Sequence, residues 1–428
     1  MSYDVMSVQE VSPVHDFGAE NPVMPLGFKQ TELGVIPEDW NIESIGKVFN
    51  LVNGVAFKPS DWKQQGTPII RIQNLNDPSA HFNYSQLPVP ERNRVATGDL
   101  LFAWSGTVGT SFGARIWHGP EGVLNQHIFK VTMDEEHITR RFSLIVFSRV
   151  EEDIAKQAHG FKASFLHVKK SDLIKIKLPV PPVYEQRAIA TTLSDVDALL
   201  EELDRLITKK RDIKQGTVQQ LLTGETRLPG FEGEWKTVSL GDIAAFYKGK
   251  GLPKSAISTF GEQPCIHYGE LFTQYGVKIE KTISRTDERF DSFLSAANDV
   301  LMPTSDVTPS GLAKASCVTS DNVILGGDIL VIRTDPNRVN GIFLSSIIRN
   351  DADQVLRLVT GTTVYHLYGS DMKKFIFSIQ SLAEQNAIVA TFSDMDTEIQ
   401  ALEQRRKKTA ELKQGMMWDL LTGRTRLV

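Results

Sequence analysis

The sequence has little cysteine and no long apolar run, and both absences limit where the protein can reside. Its 428 residues include only Cys265 and Cys317, too few for a disulfide framework or a cysteine-rich zinc site. No apolar run approaches the roughly 18 residues that cross a membrane. The N-terminal region lacks the basic-then-apolar pattern of a secretory signal. We therefore expect a cytoplasmic protein.

The common catalytic motifs are also missing. The nine histidines show no H-E-x-x-H or other paired metal spacing. The segment 249–255 superficially resembles a phosphate-binding loop, but Pro253 stands where the glycine before the lysine is required. Pro181-Pro182 lacks the polar and aromatic neighbours that a base methyltransferase acting on an exocyclic amine needs. We therefore expect no metal, no cofactor and no catalytic residue in this chain.

Charge is unevenly distributed, so the net charge of −5 does not exclude nucleic acid as a partner. Residues 1–40 carry one lysine and seven acidic residues, whereas residues 41–180 carry 17 basic and 13 acidic residues. Much of the acidity therefore lies in a segment that we interpret as a flexible, solvated N-terminal tail, residues 1–32. A docking arm or a DNA mimic is the alternative for this tail.

An internal repeat organises the chain. Residues 185–228 align with residues 384–427 without a gap, at an offset of 199, and 20 of the 44 positions are identical. The repeat extends to the start of each half, where Trp40 recurs as Trp235 at an offset of 195. Between these anchors the halves diverge: 71–74 reads RIQN, and 267–270 reads HYGE. This pattern indicates two readers with one fold and different targets, with neutral drift of exposed loops as the alternative.

Each repeat ends in a sequence typical of a long helix. Apolar residues spaced alternately by three and four positions form the seam of a coiled coil; they are Ile189, Leu193, Val196, Leu200, Leu203 and Ile207 in the first repeat, and Ile388, Phe392, Met395, Ile399 and Leu402 in the second. Proline precedes the first helix. Gly224 is suited to the C-terminal cap of the first helix, and Gly423 to that of the second.

The segments before these helices read as mixed α and β. Short β-branched and aromatic runs such as 68–72, 99–102, 127–131, 299–302 and 328–332 are separated by glycine, proline, asparagine and aspartate. We predict an α+β protein with a pseudo-two-fold repeat. Its predicted segments are the tail (1–32), a first globular α/β domain (33–180), a central long helix (181–228), a second globular domain (229–379) and a C-terminal long helix (380–428).

Four segments resemble the specificity subunits of type I restriction–modification systems. Residues 181–190 (PPVYEQRAIA) are similar to the family's proline-then-EQ-x-x-I helix entry, and residues 98–109 (GDLLFAWSGTVG) to its strand and glycine loop. Residues 124–127 (LNQH) match a further motif, and 221–231 resembles the junction to the second recognition domain. The second half departs, with SIQSLAE at 378–384 replacing the prolines and SDVTP at 305–309 replacing the glycine loop.

The resemblance implies a non-catalytic DNA-reading subunit. Each globular domain would be a target recognition domain for one half of a bipartite, asymmetric site. The two helices would pair antiparallel, act as a spacer, and bind two adenine methyltransferase subunits, which motor–nuclease (restriction) subunits join. S-adenosylmethionine, ATP and magnesium would belong to those partners. A self-contained DNA methyltransferase or restriction enzyme, and a coiled-coil scaffold, are the alternatives.

Base edges are read by arginine, lysine, asparagine, glutamine and hydroxyl side chains in the grooves of DNA. Polar residues of these types, and one histidine, at the predicted strand ends and loops are therefore the candidate readers, with turn chemistry as the alternative role for each. They are Arg71, Gln73, Asn74, Ser105, Thr107, Asn125 and Gln126 in the first domain, and Lys248, Lys250, His267, Ser305 and Thr308 in the second. His167 and His366 are equivalent in the repeat, and we interpret them as structural residues, with DNA contact as the alternative.

Overall fold

The structure, a computed structural model, describes residues 25–77, 79–158, 165–288 and 291–427. The chain divides into two compact units, one formed by Met1–Glu202 with Arg406–Val428 and the other by Leu203–Arg405. Each unit therefore contains one globular domain together with one part of each long helix. The greater part of the predicted acidic tail, residues 1–24, lies outside the described residues.

The first globular domain is built on two four-stranded sheets. One is antiparallel, and its strand order is Gly113–Ile116, Leu100–Ala103, Ile128–Met133, Phe49–Asn53. The other is mixed, and its order is Asn83–Ser85, Thr67–Ile70, Gly122–Leu124, Arg94–Val95. Two-stranded pairs join Phe28–Thr31 to Gly34–Pro37, Ser105–Thr107 to Phe165–His167, and Asn41–Ser44 to Lys177–Val180. The helices are Ile45–Val48, Ile72–Asn76, Arg140–Ala158 and Lys170–Leu173.

The second globular domain repeats this plan. Its larger sheet has the order Ala244–Lys248, Ile329–Thr334, Val300–Pro303, Ser316–Val318, Lys278–Ile279. Its mixed sheet has the order Ser284–Thr286, Gln263–Ile266, Ile324–Leu325, Phe293–Leu294. Lys236–Ser239 pairs with Ile376–Ile379 in a two-stranded sheet. A three-stranded sheet has the order Ser305–Asp306, Tyr365–His366, Thr360–Gly361. The helices are Leu240–Ile243, Glu270–Thr273, Gly341–Asn350, Ala352–Leu358 and Gly369–Met372.

The predicted fold class is confirmed, and each of the five runs that predicted a strand forms one. The apolar runs are strands because they lie between two packed layers and are buried on both faces; Leu100–Ala103 and Val300–Pro303, for example, are buried at every position. The hairpin Phe28–Thr31 with Gly34–Pro37 shows that ordered structure begins before residue 33, the boundary predicted from the sequence.

Both predicted long helices are present, at Val183–Thr223 and Leu382–Leu421. Each ends one or two residues before a glycine with a left-handed backbone, Gly224 (φ +76) and Gly423 (φ +71), which agrees with the predicted cap. Most seam residues are buried: Ile189, Leu193, Leu203, Ile207, Ile388, Phe392 and Ile399; Val196, Leu200, Met395 and Leu402 are half-buried.

Within each unit the two helix segments run antiparallel, and equivalent residues join them. In the first unit Lys413 Nζ lies 2.6 Å from the Asp197 carboxylate. In the second unit Lys214 pairs with Asp396. Lys214 and Asp396 correspond to Lys413 and Asp197 across the 199-residue repeat, with lysine and aspartate exchanged between the helices. This ion pair is therefore common to both units.

A buried contact, which we call the staple, fixes each globular domain to the helices. In the first unit the Arg426 guanidinium makes two hydrogen bonds, at 2.7 and 2.8 Å, to the fully buried Glu185 carboxylate, which also accepts one from Trp40 Nε1 at 2.9 Å. The neighbouring Gln186 accepts a hydrogen bond from the Thr139 backbone N–H at 2.8 Å. The Glu-Gln pair of the helix-entry motif is therefore an anchor made of two buried side chains.

The second unit has the equivalent staple. Arg227 bonds the Glu384 carboxylate through two nitrogens, at 2.9 and 2.6 Å, and Gln385 accepts from the Asn340 backbone N–H at 2.9 Å. The prolines at 181–182 have no counterpart here, yet the arginine–glutamate pair and the glutamine contact are retained. Trp235 Nε1, unlike Trp40 Nε1, has no hydrogen-bond partner among the described residues. Departure from the family's proline pattern therefore leaves the architecture intact.

Candidate nucleic-acid interface

In the first domain, candidate readers meet at one edge of the mixed sheet. Arg71 follows the strand Thr67–Ile70, and Asn125 follows Gly122–Leu124. These strands are parallel neighbours, so both chains leave the sheet on the same side, and the Asn125 N–H donates to the Ile70 carbonyl at 3.0 Å. A cavity of about 250 Å³ at this edge is lined by Arg71, Ile72, Gln73, Asn125, His127 and Ile128, and we call it the first reader cavity.

Arg71 is held in one orientation. Its Nη1 donates to Asn83 Oδ1 at 2.9 Å, and its guanidinium carbon lies 4.7 Å from the centre of the Trp62 ring. Stacking on an aromatic face and one hydrogen bond leave the other N–H groups of the planar fork for a ligand. This geometry suits bidentate recognition of the kind by which arginine reads guanine.

The sequence interpretation missed His127 as a candidate reader, although it stands in the LNQH motif. His127 lines the first reader cavity, and its Nδ1 is buried with no hydrogen-bond partner among the described residues. Burial lowers the pKa of His127, and the neighbouring His167 lowers it further. The ring is therefore neutral near pH 7 and has both a donor and an acceptor nitrogen.

Asn74 is the one first-domain candidate that the structure corrects. It is fully buried; its Oδ1 accepts from the Arg71 N–H at 3.1 Å, and its Nδ2 donates to the Ala80 carbonyl at 3.1 Å. In the second domain Glu270 does the same work, accepting from the His267 N–H at 2.9 Å. This position stabilises a helix start. The role could not be predicted from the residue type, because asparagine suits base readout and helix capping equally.

The other first-domain candidates lie around the same edge or behind it. Gln73 and Gln126 are exposed, whereas Thr107 is half-buried and Ser105 is buried in a strand pair. Gln126 Nε2 lies 3.2 Å from His127 Nε2, so the two side chains form one polar group. Gln73, Asn125, Gln126 and His127 together present donors and acceptors beside Arg71.

The second domain has the same frame with different residues. Its parallel strands Gln263–Ile266 and Ile324–Leu325 pair in the register of those in the first domain, so His267 stands in place of Arg71. Gly326-Gly327-Asp328 takes the place of Asn125-Gln126-His127. Partial burial lowers the pKa of His267, and its Nδ1 accepts from the Gly269 N–H at 3.2 Å.

Of the other four second-domain candidates, two line a cavity and two do not. Lys248 and Ser305 line a cavity of about 600 Å³, which we call the second cavity, and Lys248 Nζ is 3.3 Å from the Asp328 carboxylate. Lys250 is exposed and pairs with Asp291. Thr308 is exposed and donates to Asp306 at 2.9 Å, which is turn chemistry. Lys250 and Thr308 therefore do not belong to the group of residues around the second cavity that includes Lys248 and Ser305.

Neither a candidate metal cluster nor a reactive cysteine is found among the described residues. It contains no group of three or more histidine, cysteine, aspartate or glutamate side chains that could hold a metal ion. Both cysteines are buried, and burial raises the pKa of Cys265 to about 11 and that of Cys317 to about 12, which makes them poor nucleophiles. Among the described helices none is both long and apolar enough to span a membrane.

The family model "Type I restriction modification DNA specificity domain" matches the chain twice, at residues 37–211 and 232–414. A putative type I restriction enzyme MjaX specificity subunit of Methanocaldococcus jannaschii is 22% identical over 428 residues, which covers 94% of this chain and 97% of that protein. The type I restriction enzyme EcoBI specificity subunit of Escherichia coli is 28% identical over 195 residues, 44% of this chain and 40% of that protein.

Solved structures share the fold. The S subunit of a type I restriction–modification system from M. genitalium superposes with a TM-score of 0.51 at 15% identity, covering 89% of this chain and 96% of that one. A chain from a structural study of complex assembly and conformational transition in a type I R-M system superposes with a TM-score of 0.59 at 16% identity, covering 91% and 99%.

Proposed function

The chain belongs to the family of type I restriction modification DNA specificity domains, and on that premise we propose that it reads a bipartite, asymmetric DNA site with its two globular domains. The observation that carries the proposal is one sheet edge, built twice in the same register, with Arg71 and His127 in the first domain and His267 and Asp328 in the second. Equivalent frames place both readers alike on duplex DNA, and different side chains make the two half-sites different.

The division of labour follows from what a specificity subunit is: the non-catalytic, DNA-recognising component of its complex. We assign catalysis to partners, namely two adenine methyltransferase (modification) subunits that use S-adenosylmethionine, and motor–nuclease subunits that use ATP and magnesium. Two exposed apolar residues at repeat-equivalent positions of the long helices support docking of paired subunits: Ile213 is 44% exposed and Leu412 is 62% exposed.

Methylation mapping tests the proposed function. The chain together with its modification subunits should methylate adenines within one bipartite sequence only, and the chain alone should methylate nothing. Methylation without sequence preference would indicate that the chain acts only as a coiled-coil scaffold. Methylation by the purified chain with S-adenosylmethionine would make it a self-contained enzyme.

Arg71→Ala should weaken binding at the cognate site by about 1–3 kcal/mol and relax the preference at one base position, since it removes a bidentate base contact. The measurement is selection of bound sequences with the modification subunits present. Arg92→Ala, which removes the same charge from an exposed residue of the same domain, is the matched control. A loss spread evenly over all sequences would instead identify Arg71 as a phosphate contact.

We propose that the paired helices set the number of unread base pairs. One heptad inserted after Glu202 and another after Ala401, equivalent positions in the repeat, keeps the seam in register and lengthens each helix by about 10 Å. Because DNA rises about 3.4 Å per base pair, the preferred spacer should grow by about three pairs in a selection from variable-spacer libraries. The same heptad after the exposed Gly230 lengthens the chain but neither helix, and it should change nothing. An unchanged spacer in the double insertion would leave the helices as a docking platform alone.

A further inference from the structure

The first domain fills one position of its frame with a tryptophan. Trp104 follows the strand Leu100–Ala103, and its indole centre lies 5.3 Å from His127, 5.8 Å from Phe129 and 4.7 Å from His167. The Phe129 ring stacks on it at an interplanar angle of 29°, and the His167 ring meets it edge-on at 84°. The indole thus occupies the space between these three rings.

In the second domain Thr304 stands at this position. The backbone N–H of Trp104 donates to the His127 backbone carbonyl at 3.2 Å, and the backbone N–H of Thr304 donates to the Asp328 backbone carbonyl at 2.9 Å. Sheet register gives the same correspondence. Phe129 lies opposite Phe102 in the first domain, as Leu330 lies opposite Met302 in the second. In the same way His167 lies opposite Ser105, and His366 lies opposite Ser305. The three ring neighbours of Trp104 therefore correspond to Asp328, Leu330 and His366.

Thr304 and all three of these residues line the second cavity, of about 600 Å³. None of the described residues that line this cavity is a tryptophan. The cavity is thus the space of an aromatic ring system, left open in one of two equivalent frames. Its volume lies within the range of about 300–1,000 Å³ that is usual for small-ligand sites.

The lining has the chemistry of a nucleotide site. Tyr368 is 54% exposed, and its ring stacks on His366 with centres 6.0 Å apart and planes at 21°. Lys373 adds an ammonium group with no ion-pair partner among the residues that the structure describes. Asp328 lines the same space from a left-handed backbone (φ +58) that few residues other than glycine adopt, and its Oδ1 lies 3.3 Å from Lys248 Nζ and 3.4 Å from the Thr304 hydroxyl.

We propose that the second cavity accepts one nucleobase unstacked from the bound DNA, a role that rests on the proposed function. The base stacks on the Tyr368–His366 face, the Asp328 carboxylate accepts from its exocyclic amino group, and Lys373 meets the adjacent phosphate. An acceptor at this place favours adenine, cytosine or guanine over thymine, which has no amino group. The first domain, whose space is filled by Trp104, unstacks no base.

Fluorescence of 2-aminopurine, which rises when the base leaves the stack, tests the proposal in the complex of this chain with its modification subunits and cognate DNA. Substituted in turn at each position of the half-site read by the second domain, it should brighten at one position besides the adenine that the modification subunits methylate and themselves unstack. Thr304→Trp, which rebuilds the first domain's arrangement, should abolish that rise. Val307→Trp, at a residue 72% exposed and outside the cavity lining, is the matched control and should leave it intact. Brightening that persists in Thr304→Trp belongs to the partner subunits.

Tyr368→Ala is a second variant, which removes side-chain volume and so cannot cause steric overpacking of the domain. It should reduce the fluorescence rise and weaken cognate binding by roughly tenfold, as expected for the loss of one stacking contact. Sequence preference without any Thr304-dependent brightening would overturn this inference and leave the proposed function standing. Absence of sequence preference in the complex of the unsubstituted chain would overturn both this inference and the proposed function. Failure of Thr304→Trp to assemble with the modification subunits, without DNA, would assign the cavity to a partner's side chain and also overturn the inference.

Discussion

Arg426→Met should lower the free energy of unfolding of the first unit by about 3 kcal/mol, the lower end of the cost of breaking a buried ion pair by removing one partner. The Glu185 side chain that remains is fully buried and keeps two hydrogen bonds, one from Trp40 Nε1 at 2.9 Å and a longer one from the Leu427 backbone N–H at 3.3 Å. Arg426 itself is 24% exposed, which lets some water reach the carboxylate in its absence and holds the expected cost at the lower end of the range. Methionine retains the aliphatic part of the side chain, so the loss reports charge rather than packing.

Chemical denaturation of the full chain measures this effect as a lower midpoint of unfolding. Adding Glu185→Gln to Arg426→Met should recover much of the loss, since the glutamine is neutral and still accepts from Trp40. The control is Lys177→Met, which removes a pair between exposed side chains, Lys177 and Glu32, and should cost no more than about 1 kcal/mol. An Arg426→Met midpoint no lower than that of Lys177→Met would show that the staple orients the domain without stabilising it.

The long helices and the repeat could be predicted because they depend on periodicity, which is a local property of the sequence. A seam with spacings of three and four residues needs no knowledge of the partner helix. The staple could not be predicted in this way, although its residues were in view. Arg426 and Glu185 are 241 positions apart, and neither residue type is expected to be buried unless it is paired. Only the fold brings the two together.

The grouping of the candidate readers at one sheet edge was predicted in part. Arg71, Gln73 and Asn125 were chosen as polar residues at strand ends, and the parallel pairing of two short strands does bring them to one cavity. Asn74 was wrong, since a capping asparagine and a reading asparagine look alike in sequence. His127 was missed, because a single histidine in a motif does not reveal that its ring lies against Trp104. Burial and neighbours decide between these roles, and both are properties of the folded domain.

The second cavity was beyond the reach of the sequence for a different reason. The glycine loop of the first half has no counterpart in the second, so the alignment offered no residue to compare with Trp104. Strand register supplies the correspondence with Thr304, because the hydrogen-bonding pattern of a sheet survives changes of side chain. A space is defined by what surrounds it, and the residues around this one come from strands that are distant in sequence.

Replacing residues 41–180 with the equivalent segment of another family member should change one half-site of the recognised sequence and leave the other unchanged. Each base pair that differs costs about 1–3 kcal/mol at the old site. A half-site that differs at two pairs should therefore lose preference by about 2–6 kcal/mol, and methylation should move to the donor's half-site. Mapping of methylated adenines in the presence of the modification subunits measures both half-sites at once.

The staple explains why such an exchange should fold. Trp40 and the fully buried Glu185 and Gln186 lie outside the exchanged segment, and the hydrogen bonds of Gln186 to that segment involve main-chain atoms of the segment. It accepts from the Thr139 N–H at 2.8 Å and donates to the His137 carbonyl at 2.9 Å. A donor domain with the same backbone offers the same two groups whatever its sequence. The helix anchor therefore specifies the frame and leaves the reading residues free to vary.

The reciprocal exchange, of residues 236–379, is the matched control. Gln385 there bonds the Asn340 N–H and the Arg338 carbonyl, again main-chain groups, so it should accept a foreign domain equally well and change the opposite half-site. If either exchange altered both half-sites, the domains would not read independently. If neither altered any base, the determinants would lie outside the exchanged segments. Opposite, single half-site changes from the two exchanges are what two separately anchored readers require.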